Sequence, residues 1–390
     1  MKHAYRFFTV VFLAASIVFG ILAAAHLRLP LQELIFASEY RRDIVPSSAQ
    51  EIQQASQSVW LLAAITAAGL TLLLAIWSNR QRFRERAHDV LSFSITTACA
   101  LTLFLLLTKA GFEGSWYPLD TIVNKPGQLP VFGTRLLMVW LAWLLRAIHS
   151  MPVHRLFLAT QGIALIAAVF MTRTWSALFI GKRLSWLGPV LLVLLLAPTF
   201  TYFTFYDIAM VFFWSLGLWA IWRRYYVLLV AVVFIGTLNH ENILLLVPVS
   251  AVAMWQSSNR RVVITTASVA LVAHAAARLL LNWLYPTKRI AQMNILLNAQ
   301  ILTHARDDRM LDAILVLPVL FLCTVIASFY AEQALQRAWY TGLAVFLAVT
   351  FAVGQANEVR QFDALIPLVI ALLLNYMRQQ LQLQPAEGTP

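Results

Sequence analysis

Apolar segments long enough to cross a lipid bilayer recur from one end of this chain to the other. A segment of about 18 or more apolar residues spans a hydrocarbon core as a helix, and lipid offers no partner to unpaired backbone groups. Of the 390 residues, 61% are hydrophobic and 12% charged, whereas soluble domains carry about a quarter charged residues. The sequence therefore predicts an all-α, polytopic bundle of about 10–13 transmembrane helices.

The predicted spans follow one another without a linker or a change in composition, which indicates one membrane domain. They are 7–27, 58–77, 89–109, 131–148, 156–173, 184–203, 207–222, 226–239, 243–256, 262–284, 311–330, 338–354 and 362–377.

Basic residues give the chain a net charge of +12, and they lie in short clusters between the apolar segments. Lys and Arg accumulate on the cytoplasmic side of membrane proteins, so this pattern favours a membrane orientation over nucleic-acid binding. The prediction places both termini in the cytoplasm and loops 28–57, 110–130, 285–310 and 354–361 outside. The clusters predicted to face the cytoplasm are 79–86, 146–155, 222–224, 259–261, Arg337 and Arg378.

One stretch does not fit this alternation. An odd number of crossings must separate a cytoplasmic Arg155 from an outer Asp207, yet two apolar runs lie between them, divided by Gly181, Lys182 and Arg183. Either one run lies along the interface or re-enters the membrane, or the outer position of Asp207 is wrong.

Residues 226–256 are predicted to form a hairpin within the membrane. The stretch is apolar, too long for one untilted span, and bracketed by basic pairs that are both predicted to be cytoplasmic. Its tip would be the polar cluster Asn239, His240, Glu241 and Asn242. Because an unpaired carboxylate is costly within a membrane, we expect a cation to accompany Glu241, with Arg278, Arg289 and Arg360 as candidates.

Ionisable residues collect at the predicted outer ends of the helices. A carboxylate there can accept a proton, and arginines can grip phosphate oxygens with a planar fork. Structural roles remain open: Asp207 would cap a helix, Arg278 would reach the interface, and Glu358 with Arg360 would be an ion pair. The candidates are Glu113, Asp120, Asp207 and Glu241 as catalytic residues, with His240, Arg278, Lys288, Arg289, Glu358 and Arg360 as substrate-binding residues.

Several of these segments resemble the C-type (GT-C) fold glycosyltransferases, which take a sugar from a polyprenyl-phosphate carrier. Residues 206–226 and 236–241 are similar to a recurring block in that family: an Asp opens a helix, a basic turn and a short apolar helix follow, and a small-Thr-Leu tip closes the block. Residues 129–137 are similar to the start of the helix after the first large outer loop. Asn357–Phe362 is similar to a Glu-x-Arg segment that opens a late helix.

The resemblance implies a GT-C-like core at 89–378, preceded by two extra helices in 1–88 and followed by a short cytoplasmic tail at 379–390. It implies a multi-pass enzyme of the bacterial inner membrane that moves a sugar from a polyprenyl-phosphate carrier to a lipid-linked, glycan or protein acceptor at the outer face. Some relatives use a divalent cation, Mg²⁺ or Mn²⁺, although no metal-ligand spacing occurs in the chain. The expected partners are the carrier lipid and membrane lipid; no protein partner is predicted.

Two alternatives stay open. A non-enzymatic flippase or transporter also needs polar groups at membrane depth, but such proteins commonly show repeated halves and a site at the bilayer midplane. The chain shows no convincing internal repeat, and its polar groups are predicted to lie toward the outer face. A cell-envelope glycan polymerase or ligase would share the chemistry of the transferase and is not separated from it by sequence.

Overall fold

The computed structural model describes residues 91–104, 135–148, 153–196, 207–255, 258–285, 324–352 and 359–381. Within these ranges the chain is all-helical and contains no strand. This confirms the all-α part of the predicted fold. The predicted spans at 7–27 and 58–77, both termini and most of the predicted outer loops lie outside the described residues.

Ten α-helices are described. They are α1 Leu91–Phe104, α2 Leu137–Ile148, α3 Val153–Ile180, α4 Leu187–Leu196, α5 Asp207–Trp222, α6 Tyr226–Asn239, α7 Leu246–Met254, α8 Arg260–Leu284, α9 Gln333–Ala352 and α10 Ile366–Gln380. Short 3₁₀ helices occupy Lys182–Leu184, Glu241–Leu245 and Val359–Leu365, and a further helical turn covers 324–328.

The predicted hairpin is confirmed by α6, the Glu241–Leu245 turn and α7. The backbone leaves α6 at His240, which is extended (φ −155°, ψ 132°), and the next five residues form a 3₁₀ turn. The two legs return to one end of the bundle, because the Tyr226 hydroxyl at the start of α6 lies 2.9 Å from the Ser258 hydroxyl beyond α7. The polar residues are therefore at the tip of the hairpin.

Helix α3 corrects the predicted position of the 146–155 basic segment. This helix runs for 28 residues, about 42 Å at 1.5 Å per residue, so Arg155 and Lys182 lie at its opposite ends. The carboxyl ends of α3 and α5 meet, since the Trp175 ring packs edge-on against Trp222 at 5.1 Å. The sequence interpretation placed the 146–155 segment on the same side as the 222–224 turn, because counting bases does not reveal that a single long helix separates them.

Most of the described Lys and Arg residues lie at the end of the bundle where α3 has its carboxyl end. We call this end the basic end. Tyr226 and Ser258 bring the turn after α5 and the start of α8 to this end. Helix α9 also starts there, because Gly342 lies near Val249 of α7 and Phe346 packs against Trp214. The bases at this end are Lys182, Arg183, Arg223, Arg224, Arg260, Arg261, Arg337 and Arg378.

Three described helices are long and apolar enough to cross a membrane: Ala159–Ile180, Arg260–Leu284 and Phe362–Gln380. Shorter apolar helices of 10–17 residues cover Leu91–Phe104, Leu137–Ala147, Ile208–Trp222, Tyr226–Asn239 and Glu241–Met254. Helix α8 turns large apolar side chains outward, and Trp283 and Val272 are 79% and 68% exposed. Soluble monomers rarely expose contiguous apolar surface of this kind, which is the surface that a membrane protein presents to lipid.

Candidate functional site: a charged cluster at the hairpin tip

The structure places only part of the predicted set of site residues. Asp207 is the first residue of α5, and Arg360 lies in the Val359–Leu365 turn, which packs against α5; the backbone alone is described at both positions. Arg278, His240 and Glu241 are described with their side chains. Five predicted site residues lie outside the described ranges: Glu113, Asp120, Lys288, Arg289 and Glu358.

Glu241 forms its closest ion pair with Arg135, a residue that the sequence interpretation did not include in the site. The Arg135 Nη2 atom donates to Glu241 Oε1 at 3.1 Å. The Arg135 side chain is 9% exposed and the Glu241 side chain is 40% exposed. The guanidinium is therefore enclosed by protein, and the Glu241 side chain is partly exposed although its Oε2 atom is buried.

Arg278 approaches the other carboxylate oxygen, as the sequence predicted for a cationic partner. Its Nη1 atom lies 3.9 Å from Glu241 Oε2, within ion-pair range but beyond a hydrogen bond. This Nη1 atom is buried and makes no hydrogen bond to any residue within the described ranges. Two guanidiniums thus flank one carboxylate, and the Arg135–Glu241–Arg278 cluster carries a net charge of +1 (two positive charges and one negative).

His240 closes the turn that holds Glu241. Its ring is 4% exposed, and its Nδ1 atom accepts a hydrogen bond from the Asn242 backbone N–H at 3.1 Å. An imidazole nitrogen that accepts a hydrogen bond carries no proton, so the ring proton belongs on Nε2. The described contact of His240 is a local one that shapes the tip.

His274 joins the site from α8, one helical turn before Arg278. Its Nδ1 atom lies 2.9 Å from the Thr237 hydroxyl, and that hydroxyl donates to the Val233 carbonyl at 2.6 Å. A hydroxyl has one proton. Because Thr237 gives its proton to the carbonyl, His274 Nδ1 is the donor in the second bond. This assignment leaves the Nε2 atom of a neutral His274 as an acceptor.

The cluster is assembled by three helices that meet at the tip. The Leu136 N–H donates to the Leu238 carbonyl at 2.9 Å, which fixes Arg135 beside the end of α6. Leu136 and Leu238 share an apolar cluster with Ala277 and Leu281 of α8. This packing sets Arg278, on the same helix, beside the hairpin tip. The ionic contacts are thus built on apolar contacts between α2, α6 and α8.

The cluster lies deep along the bundle. Helix α6 has 14 residues between the basic end and the tip, which corresponds to about 21 Å at 1.5 Å per residue. A hydrocarbon core is about 30 Å thick. If the basic end sits at one membrane surface, Glu241 lies past the midplane, in the half farther from that surface.

The sequence interpretation missed Arg135, His274 and Asp363. Arg135 precedes a helix at the edge of a polar segment, where a lone base has no distinctive spacing. His274 gains meaning only from its contact with Thr237, 37 residues away. Asp363 lies in the 3₁₀ turn before α10, three residues after Arg360, and is 1% exposed. Its carboxylate within an apolar run was the sequence signal that could have identified it.

Divalent cations do not fit the Arg135–Glu241–Arg278 cluster. Hard cations such as Mg²⁺ bind carboxylate-rich oxygen sites, whereas the one carboxylate here already faces two guanidiniums. Among the described residues, no group of three His, Cys, Asp or Glu side chains has a metal-binding arrangement. The net positive charge instead suits an anion.

Comparisons with known proteins add no relative. No family model matches the chain, no curated protein matches it, and no solved structure matches it. The chemical interpretation of the cluster therefore rests on its geometry and on the sequence resemblance.

Proposed function

We propose that this chain is a multi-pass membrane glycosyltransferase with a GT-C-like fold, which moves a sugar from a polyprenyl-phosphate carrier to an acceptor hydroxyl at the face opposite the basic end. The observation that carries the proposal is the two enclosed guanidiniums beside Glu241 at the hairpin tip, about 21 Å from the basic end along α6. Positive charge at such depth is costly unless it serves a task. A phosphate held at the membrane is the matching anion.

The cations are suited to stabilise the leaving group. In an inverting transfer the acceptor oxygen attacks the anomeric carbon, and the bond to the carrier phosphate breaks with its electron pair on the phosphate oxygen. The phosphate thereby gains negative charge, and pre-placed guanidiniums favour that state over the ground state. Arg135 and Arg278 supply the two guanidiniums, and Lys288, Arg289 and Arg360 remain predicted contributors.

Glu241 acts in this scheme as a positioning residue. A carboxylate paired with two arginines is a poor proton acceptor, because protonation would give up both ion pairs. Its two oxygens instead hold the guanidiniums on either side of the tip. The general base on the acceptor is then expected among the other predicted carboxylates, Glu113, Asp120 and Asp207.

The basic end is proposed to face the cytoplasm, in line with the positive-inside rule. The tip then lies in the outer half of the bilayer. A transporter is expected to hold its site at the midplane between repeated halves, so the off-centre position of the cluster favours transfer. Movement of the intact carrier lipid, without bond cleavage, is the second candidate function.

The test follows the fate of the sugar–phosphate bond. Membranes from cells that make the protein are given a short-chain polyprenyl-phosphate hexose, and free polyprenyl phosphate is quantified by mass spectrometry. Release should depend on the protein and fall about 100-fold or more in Arg278→Ala, as loss of a transition-state contact commonly does. The matched control is Arg378→Ala, which removes an equally enclosed arginine at the basic end.

Two results would contradict the proposal. One is equal release by the protein and by Arg278→Ala. The other is transbilayer movement of the intact lipid in vesicles without any release of polyprenyl phosphate, which would establish the second candidate function.

A further inference from the structure

The two histidines at the tip differ in what a second proton would cost them. His240 uses Nδ1 as an acceptor for the Asn242 N–H, and an imidazolium has no acceptor nitrogen. Protonation of His240 would therefore break the bond that closes the turn. His274 uses Nδ1 as a donor to Thr237, so a proton added at Nε2 leaves that bond intact.

From this difference we propose that the tip is a proton-linked phosphate site, in which His274 takes up a proton at Nε2 when a phosphate group binds at the Arg135–Glu241–Arg278 cluster. The inference rests on the proposed function only in taking phosphate as the ligand. It goes further in assigning His274 a charge that changes with occupancy. Histidine is the ordinary side chain whose charge changes between pH 5 and 8.

The position of His274 couples it to the cluster. His274 and Arg278 are four residues apart on α8, so their Cβ atoms lie on one face about 6 Å from each other. Arg278 contacts Glu241, and His274 lies one helical turn before Arg278 on the same helix. A phosphate drawn to Arg278 adds negative charge beside the ring, which favours the imidazolium.

The charged and titratable groups around His274 are few within the described residues. Helix α6 presents Thr237 and, at its end, His240; the turn presents Glu241; α8 itself carries Arg278; and Arg135 lies across Glu241. Helix α7 has no ionisable side chain. Of these groups, His274 is the one that can change charge near neutral pH without losing a described hydrogen bond.

The test measures affinity against pH for a ligand of fixed charge. Methyl farnesyl phosphate, a phosphodiester, keeps one negative charge from pH 5.5 to 8.5, so any pH dependence comes from the protein. Its dissociation constant in detergent micelles, measured by isothermal titration calorimetry, should rise about tenfold as the pH increases from 5.5 to 8.5. His274→Gln keeps a hydrogen-bonding side chain that cannot be protonated, so its affinity should stay within about twofold.

The Thr237 contact has its own matched pair of variants. Thr237→Val keeps the shape but removes the hydroxyl that orients the ring, so the pH dependence should shrink, and Thr237→Ser should restore it. Thr96→Val is the control: Thr96 is also buried and donates to the carbonyl four residues earlier, but no described bond joins it to a histidine. It should behave as the unaltered protein.

The outcomes separate the two proposals. Binding that is equally strong at every pH, or pH dependence that survives in His274→Gln, would overturn the proton linkage and leave the phosphate site standing. Absence of binding at every pH would overturn both. Inorganic phosphate at pH 7.5 distinguishes the ligand source, since tighter binding than the lipid phosphodiester would assign the site to free phosphate and contradict the carrier.

Discussion

Two ion pairs at opposite ends of the bundle are nearly identical in local geometry and differ in their surroundings. Arg135 Nη2 lies 3.1 Å from Glu241, and Arg378 Nη2 lies 3.0 Å from Glu332. The arginine side chains are 9% and 11% exposed, and both glutamates are 40% exposed. A buried arginine nitrogen without a hydrogen bond to a described residue occurs at both places: Arg278 Nη1 beside the first pair and Arg378 Nη1 within the second.

The surroundings decide what each pair can do. Glu332 stands beside one arginine at the basic end, where the Arg378–Glu332 pair ties α10 to the start of α9. Glu241 stands between two arginines, close to His240 and His274, about 21 Å farther along the bundle. One arginine faces the carboxylate of Glu332, and two face the carboxylate of Glu241. An ion pair by itself therefore does not mark a site, whereas two arginines around one carboxylate at depth do.

The largest expected effect concerns which side of the membrane each end faces. With Cys99 and Cys323 replaced by Ala, two variants introduce exposed single cysteines on either side of α3: Arg146→Cys in the last turn of α2, and Lys182→Cys just beyond the carboxyl end of α3. Because the basic end is proposed to be cytoplasmic, Arg146→Cys should react with a membrane-impermeant maleimide in intact cells. Lys182→Cys should react only after permeabilisation. Protection of Arg146→Cys in intact cells would contradict this orientation and restore the sequence-based prediction that the 146–155 segment is cytoplasmic.

The second comparison is the cost of removing each carboxylate. Glu241→Gln removes a carboxylate that faces two enclosed arginines far from the membrane surface, so the free energy of unfolding should fall by about 3–5 kcal/mol. Glu332→Gln should lower it by about 1 kcal/mol or less, as for pairs that water reaches. Unfolding in detergent micelles, followed by circular dichroism against denaturant, gives both values. Equal losses would show that depth does not separate the pairs.

The sequence predicted the tip but not its chemistry. Helices α5 and α6 have the predicted bounds, because the basic turn between them and the polar cluster after Asn239 mark where apolar helices must end. The hairpin followed from the charges on both sides of it. The pairing of Arg135 with Glu241 joins residues 106 positions apart and depends on how α2 packs against α6, which no local pattern encodes.

The prediction that the 146–155 segment lies on the same side as the 222–224 turn was wrong for a related reason. Its amino end carries bases that resemble a cytoplasmic cluster, and its 28 residues were divided by the sequence interpretation into a shorter span and a loop. Only the contacts of Trp175 and Phe179 with Trp222 show which end meets the other basic turns. Base counts constrain orientation, whereas helix packing determines it.

The smallest expected effect is the response to salt. Ions in water screen charges near the membrane surface far more than charges deep within the bundle. Raising the salt concentration from 0.05 to 0.5 M should therefore abolish most of the difference in unfolding free energy between Glu332→Gln and the unaltered protein. The difference caused by Glu241→Gln should persist. Thermal unfolding in detergent at the two salt concentrations checks this, and a salt response shared by both variants would contradict it.

Binding of a fixed-charge phosphodiester to a series of charge variants tests the central claim most directly. The cluster carries +1 in the unaltered protein, 0 in Arg135→Ala or Arg278→Ala, and +2 in Glu241→Gln. The affinity for methyl farnesyl phosphate at pH 7.5 should rise with the charge of the cluster. It should be about tenfold or more lower in the variants with a cluster charge of 0, and several-fold higher in the variant with a cluster charge of +2. Arg378→Ala and Glu332→Gln should leave it unchanged. An affinity that is independent of the charge of the cluster would contradict the account. So would an affinity that changes as much in Arg378→Ala and Glu332→Gln as in the cluster variants.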